Sequence, residues 1–151
     1  MIYERKLSME DLEQFIKLRV EMLMSDKSIN YDKDEIINQT IPYVKENLNE
    51  SLHIWGVFED DDLISMAAME ILKRLPTPKK ENLNSEIGYI CSVYTKPEYR
   101  KRGYANKLMS NIFEYANNLG ITRFKLSSHN PNAIRIYEKY GFKKDETMMR
   151  K

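Results

Sequence analysis

The chain has 151 residues, of which 42% are hydrophobic and 31% are charged, a composition typical of one soluble globular domain with a substantial core. Its formal net charge is +1 at pH 7, so it has no global attraction to nucleic acid or to an acidic membrane. One cysteine cannot form an internal disulfide, and the sequence has neither a bilayer-spanning apolar run nor an N-terminal stretch typical of a secretory signal, so we expect a cytoplasmic protein.

The first third of the chain predicts one strand and two helices. Residues 2–7 form a short strand-like run, and Ser8 begins a helix whose apolar side chains recur at helical spacing until about Met24. A second helical stretch covers residues 34–49. Pro42 should kink this helix or start a new turn, because proline lacks the N–H that an interior helical position needs.

The middle third predicts a hairpin and a further strand. Residues 52–59 and 63–73 are strand-like and are separated by three aspartates, which is typical of an antiparallel hairpin. Residues 75–84 contain two prolines and several charges, and we expect a loop there. Residues 86–95 then form the central strand.

The last third continues the alternation of helices and strands. A helix is predicted over residues 106–119, ended by Gly120, and is followed by a strand over 122–127. A short helix over 133–139 and a last strand over 142–149 complete the chain. This order predicts a single α/β domain over residues 1–151, with helices packed around a mixed sheet.

A basic turn connects the central strand to the helix at 106–119, and its sequence is Arg100-Lys101-Arg102-Gly103-Tyr104-Ala105. The N-terminus of a helix has free backbone N–H groups and a partial positive charge, and a glycine lets an anion approach them. The turn therefore predicts a diphosphate site. Its spacing matches neither of the two common nucleotide-binding glycine loops, which disfavours a nucleoside triphosphatase or a dinucleotide oxidoreductase.

Two motifs resemble those of the GCN5-related N-acetyltransferase (GNAT) superfamily. The spacing Arg100-x-x-Gly103-x-Ala105 resembles the family's Gln/Arg-x-x-Gly-x-Gly/Ala signature, and the segment from Asn130 to Phe142 resembles its C-terminal motif. The resemblance implies a mixed, mostly antiparallel sheet with helices on both faces, acetyl-CoA as cosubstrate, no metal, and transfer of an acetyl group to an amine. Relatives are often dimers, so a homodimer is a possible assembly.

The resemblance also implies roles for individual residues. Backbone groups of a bulge in the central strand would contact the pantetheine arm and the thioester, the basic turn would bind the pyrophosphate, and Asn130 would bind the pantetheine amide. Tyr137 would be the general acid to the departing thiolate. The residues expected to contact the cofactor are Val93, Tyr94, Thr95, Arg100, Lys101, Arg102, Gly103, Tyr104, Ala105, Asn130 and Tyr137.

The proton acceptor is less clearly indicated. An alkylammonium with a pKa near ~10.4 must lose a proton before its nitrogen can attack a carbonyl. We expect Glu86, at the start of the central strand, to be this general base, because relatives place a carboxylate in that region. Glu70 on the hairpin is a second candidate, and a water chain without a dedicated base is a third.

The acceptor is expected to be a small-molecule amine. The family grips its acceptor with the first two helices and their connecting loop, and the acidic excess of residues 21–35 suits a cationic amine. Two alternatives are a protein or peptide amine and a module that binds coenzyme A without catalysis. A nucleic-acid-binding domain is a further hypothesis, which the near-neutral charge disfavours. His53, His129 and Cys91 do not have the spacing of a metal site.

Overall fold

The computed structural model describes residues 1–80, 84–128, 130–145 and 147–151. Strands and helices alternate along the chain, and short 3₁₀ turns at Met9–Asp11 and Pro97–Tyr99 precede the first and third helices. In chain order the elements are β1 (Ile2–Lys6), α1 (Leu12–Met24), α2 (Lys33–Asn47), β2 (Leu52–Glu59), β3 (Asp62–Lys73), β4 (Glu86–Thr95), α3 (Tyr104–Asn118), β5 (Phe124–Lys125) and α4 (Pro131–Lys139).

One five-stranded sheet organises these elements, in the order β1-β2-β3-β4-β5. The first four strands are antiparallel and β5 is parallel to β4, which confirms the predicted mixed, mostly antiparallel sheet. Because successive side chains of a strand point to opposite faces, β3 sends Met66 and Ala68 into a core with α1 and α2, and Ala67 and Met69 into a core with α3. The sheet is therefore covered on both faces.

The predicted last strand over residues 142–149 is wrong, since none of its described residues lies in a strand. Lys143 and Lys144 provide no apolar alternation, and the Asp145 carboxylate accepts hydrogen bonds from the N and Oγ1 atoms of Thr147, at 3.0 and 2.6 Å. An aspartate that bonds the chain two residues ahead favours a turn over a strand.

Other elements differ in extent from their predictions. The strand expected over 122–127 contains only Phe124–Lys125, while α2 runs through Pro42 without ending. The prediction of a loop over 75–84 falls partly on residues 81–83, outside the described residues. Within the described part of the chain, no helix has the length and apolar character needed to cross a membrane.

An ion pair fixes the connection between β1 and α1. The Arg5 guanidinium donates from Nη1 and Nη2 to the two carboxylate oxygens of Asp11, at 2.7 and 2.8 Å, and the Ser8 backbone N–H donates to the same carboxylate at 2.8 Å. Asp11 is buried, with 6% of its surface exposed. The hydrogen bonds from Arg5 are the main reason that the pKa of Asp11 lies below its ordinary value.

We predict that Asp11→Asn destabilises the protein at pH 7 by about 1–3 kcal/mol, because it removes charge-assisted hydrogen bonds from a buried carboxylate. A carboxyl whose pKa is lowered by folding stabilises the folded state above its unfolded pKa of about 3.9, and this stabilisation is lost as the pH falls through the folded pKa. The difference in denaturation midpoint between the wild type and Asp11→Asn should therefore become smaller from pH 7 to pH 3. Asp61→Asn, in the exposed turn between β2 and β3, is the control. If the difference between wild type and Asp11→Asn did not depend on pH, the charge of the Asp11 carboxylate would not be its cause.

Candidate functional site

The central strand β4 contains a bulge. Tyr94 pairs with Met66 and Cys91 pairs with Ala68, so two residues of β4, Ser92 and Val93, lie opposite one residue of β3. Ser92 adopts a φ of 52°, in the left-handed region that L-residues rarely occupy. The bulge lies within the strand for which the resemblance implies one, and it takes the backbone of these two residues out of the regular ladder with β3.

An opening follows between β4 and β5, because the two strands pair only at Gly88 with Phe124 and at Tyr89 with Lys125. The Lys96 N–H donates to the Ile64 carbonyl of β3 at 3.0 Å. Since alternate residues of a strand bond to opposite sides, the N–H of Thr95 faces away from β3, toward this opening. Backbone groups there can bind an extended amide chain or stabilise a developing oxyanion.

The basic turn, residues 100–105, has the backbone geometry of an anion cradle at the N-terminus of α3. Lys101 and Gly103 have φ angles of 65° and 82°, and Gly103 is the N-cap residue. The first helical bond runs from the Lys107 N–H to the Gly103 carbonyl at 3.1 Å, so the preceding N–H groups of the first turn are available to a ligand. A Cβ placed on Gly103 would meet no atom within 4 Å. The backbone is therefore open to a bulky anion such as a diphosphate.

The two arginines of the turn bind the protein itself. Arg100 donates from Nε to the Thr95 carbonyl at 2.9 Å, and its guanidinium lies 5.3 Å from the centre of the Tyr94 ring. Arg102 donates to the Glu98 carbonyl at 3.3 Å. Arg100 thus ties the basic turn to the end of β4, and Arg102 ties it to the 3₁₀ turn at Pro97–Tyr99.

The C-terminal motif forms α4. Asn130 caps this helix, since its side-chain oxygen accepts from the Asn132 N–H at 2.9 Å. Tyr137 is half-buried, and its ring lies edge-on to Phe142 with 6.1 Å between centroids. Tyr137 and Val93 pack against the same apolar core on the α3 side of the sheet. Burial raises the pKa of Tyr137, so the phenol keeps its proton at neutral pH and can donate it.

The structure does not bring Glu86 to the bulge. Glu86 pairs with Lys73 at the start of β4, six residues before Ser92, which corresponds to about 20 Å along a strand. Glu70 lies much closer, because its Oε2 atom is 3.9 Å from the Sγ of Cys91, the residue before the bulge.

Two further side chains contact Glu70 or the bulge itself, and neither has any signal in the sequence. The hydroxyl of Tyr43 on α2 donates to Glu70, and this hydrogen bond is the main reason that the pKa of Tyr43 is raised to about 12. Arg19 on α1 donates from Nη1 to the Ser92 hydroxyl at 2.7 Å. These contacts join residues far apart in the chain, so local patterns could not reveal them. Among the described residues, which exclude His129, no group of three or more potential ligands could hold a metal ion.

The α/β fold has a site suited to an acyl-CoA. This site combines the bulged strand, the opening beside it and the anion cradle. The profile of the "Acetyltransferase (GNAT) family" matches residues 16–142 of the chain. The chain therefore belongs to this family. It is an acyltransferase that depends on acyl-CoA, and acetyl-CoA is its cosubstrate.

Solved structures share the whole fold. A predicted acetyltransferase from Clostridium acetobutylicum, solved with acetyl-CoA, is 25% identical with a TM-score of 0.85, over 99% of this chain and 95% of that one. A GCN5-related N-acetyltransferase from Ralstonia eutropha JMP134 is 21% identical with a TM-score of 0.80, over 100% and 98%. The protein named AAC(6')-Iy, solved in complex with the bisubstrate analog CoA-S-monomethyl-acetylneamine, is 16% identical with a TM-score of 0.74, over 100% and 97%. None of the curated protein sequences compared with the chain matches it.

We predict that Gly103→Ala weakens acetyl-CoA binding by at least about tenfold, because a Cβ at a φ of 82° is strained and shifts the backbone donors. Gly120→Ala is a matched control, since Gly120 has a φ of 78° at the other end of α3. Both variants should lose similar stability in thermal denaturation, while isothermal titration should show weaker binding only for Gly103→Ala. Equal affinities for the two variants would contradict the cradle.

Proposed function

We propose that the protein transfers an acetyl group from acetyl-CoA directly to the primary amine of a small molecule. The observation that supports this proposal is the position of Glu70 and Tyr137 on opposite faces of the bulged strand. Glu70 contacts Cys91 and Tyr43 on the face of α1 and α2, whereas Tyr137 and Val93 pack against one apolar core on the face of α3. A base and an acid on opposite faces of β4 suit an amine that arrives from one side and a thiolate that leaves on the other.

The chemistry requires two proton transfers. Acetyl-CoA supplies a thioester whose carbonyl carbon accepts the amine. Formation of the carbon–nitrogen bond and loss of the carbon–sulfur bond leave one proton to remove from nitrogen and one to add to sulfur. We assign removal to Glu70 and addition to Tyr137, whose pKa is raised by burial. Backbone N–H groups at the bulge would stabilise the negative charge that develops on the carbonyl oxygen.

A small acceptor is favoured by the cavity between α1 and α2. Its volume is about 290 Å³, at the lower end of the range for small-molecule sites, and Arg19, Asp32 and Glu35 contribute to its walls. A protein amine would need a longer groove, and the cavity instead suits a compact metabolite.

The direct test combines binding with turnover. Isothermal titration of the purified protein with acetyl-CoA should give saturable one-site binding, and a screen of small amines should release free coenzyme A thiol. Binding without turnover of any amine would favour the sensor hypothesis. A folded protein that does not bind acetyl-CoA would overturn the catalytic proposal.

Tyr137→Phe should lower kcat by about 10²-fold or more, because it removes the proton donor to the thiolate while the ring still packs on Phe142. The affinity for acetyl-CoA should change little. Tyr140→Phe is the control, since the Tyr140 hydroxyl donates to Asn106 instead. An unchanged rate for Tyr137→Phe in a chemistry-limited reaction would show that another group supplies the proton.

Glu70→Gln should lower kcat/KM at pH 7, and Glu86→Gln should not, because only Glu70 lies beside the bulge. The defect should shrink as the pH rises toward the pKa of the amine, near ~10, where the acceptor no longer needs a base. Rate profiles from pH 6 to 10 for both variants measure this. Loss of activity in Glu86→Gln alone would contradict the assignment to Glu70 and support the expectation drawn from the sequence.

A further inference from the structure

Arg19 connects the cavity between α1 and α2 to the bulge of β4. Its side chain lines the cavity, and its Nη1 atom donates to the Ser92 hydroxyl at 2.7 Å. A guanidinium has five N–H donors in one plane, and this bond uses one of them. The positive charge thus lies where the cavity meets the residue of β4 with a φ of 52°.

Glu70 places a negative charge close to the same point. Cys91 directly precedes Ser92, and its thiol lies 3.9 Å from the Glu70 carboxylate. The pKa of Cys91 is raised to about 12, mainly by burial, and is then raised by Glu70 and lowered by Arg19. The opposing effects on one sulfur atom are consistent with both charges lying near it.

Neither charge belongs to an ion pair in the described part of the chain, where the pairs are Met1 with Asp60 and Arg5 with Asp11. Two acidic residues also line the cavity, but each already accepts a hydrogen bond. Asp32 caps the N-terminus of α2 by accepting from the Asp34 N–H at 2.9 Å, and Glu35 accepts from Gln39 at 2.9 Å. The helix N-terminus offsets the charge of Asp32. These carboxylates attract an ammonium group, while Arg19 favours an anion.

We propose that the acceptor is an amine that also carries an anionic group, a carboxylate or a phosphate, which Arg19 binds while the amine lies against Glu70. This inference rests on the proposed function and specifies its substrate class. A planar guanidinium binds carboxylate and phosphate oxygens in pairs, and such binding orients the acceptor as well as holding it. An amine without the anion would bind in more than one orientation and react more slowly.

The test compares matched acceptors. Wild-type protein is assayed with the common L-amino acids, with their decarboxylated amines and their amides, and with phosphoethanolamine beside ethanolamine. For the best acid we expect kcat/KM at least about tenfold above that of its uncharged or cationic counterpart, the scale of a charge-assisted hydrogen bond. The comparison of amino acids with their amines tests for a carboxylate, and the comparison of phosphoethanolamine with ethanolamine tests for a phosphate.

Variants assign the preference to Arg19. Arg19→Gln should abolish the preference by raising KM for the anionic acceptor, and Arg19→Lys should restore part of it. Lys17→Gln, on the exposed side of α1, is the charge-matched control.

Two results separate this inference from the proposed function. Turnover of amines without any preference for an anion, or a preference that survives in Arg19→Gln, would overturn the inference and leave the acetyltransferase activity established. Binding of acetyl-CoA without turnover of any acceptor would overturn the proposed function, and the inference with it.

Discussion

The β-bulge at Ser92 and Val93 is the constraint on which the site depends. One extra residue in β4 bends a strand that is otherwise held on both sides, by β3 along most of its length and by β5 at its start. Because β5 ends after Lys125, the bent half of β4 has no neighbour there among the described strands. The short β5 thus leaves an opening for a ligand, and the bulge frees backbone groups of β4 to line it.

Two sets of contacts hold this irregularity in place. Arg100 reaches back from the anion cradle to the Thr95 carbonyl, so the end of β4 and the N-terminus of α3 form one connected unit. Arg19 holds Ser92 from the opposite side. A non-glycine residue with a positive φ costs free energy, and it persists only where surrounding contacts favour it. Preorganisation of this kind places donors before the ligand arrives, which is what charge stabilisation during acyl transfer requires.

The two faces of the sheet carry different side chains of the candidate site. Tyr137 lies on the α3 side, among apolar neighbours that keep its phenol protonated. Glu70 lies on the side of α1 and α2, next to Tyr43 and near the guanidinium of Arg19. An apolar environment favours the neutral form of a phenol. The fold thus places Tyr137 and Glu70, the acid and the base of the proposed reaction, on opposite faces of one sheet.

The sequence alone determined the features that depend on neighbouring residues. The hairpin, the central strand, α3 and the glycine turn at its start follow from local periodicity and from the φ that Gly103 must adopt. The predicted last strand is wrong because the turn at Asp145 competes with strand formation. The choice of base between Glu86 and Glu70 depends on their distances from the bulge, which position along a strand does not give. Only the tertiary structure brought Arg19, Tyr43 and Glu70 to Ser92 and Cys91. Their contacts depend on the packing of α1 and α2 on the sheet, and no local pattern encodes that packing.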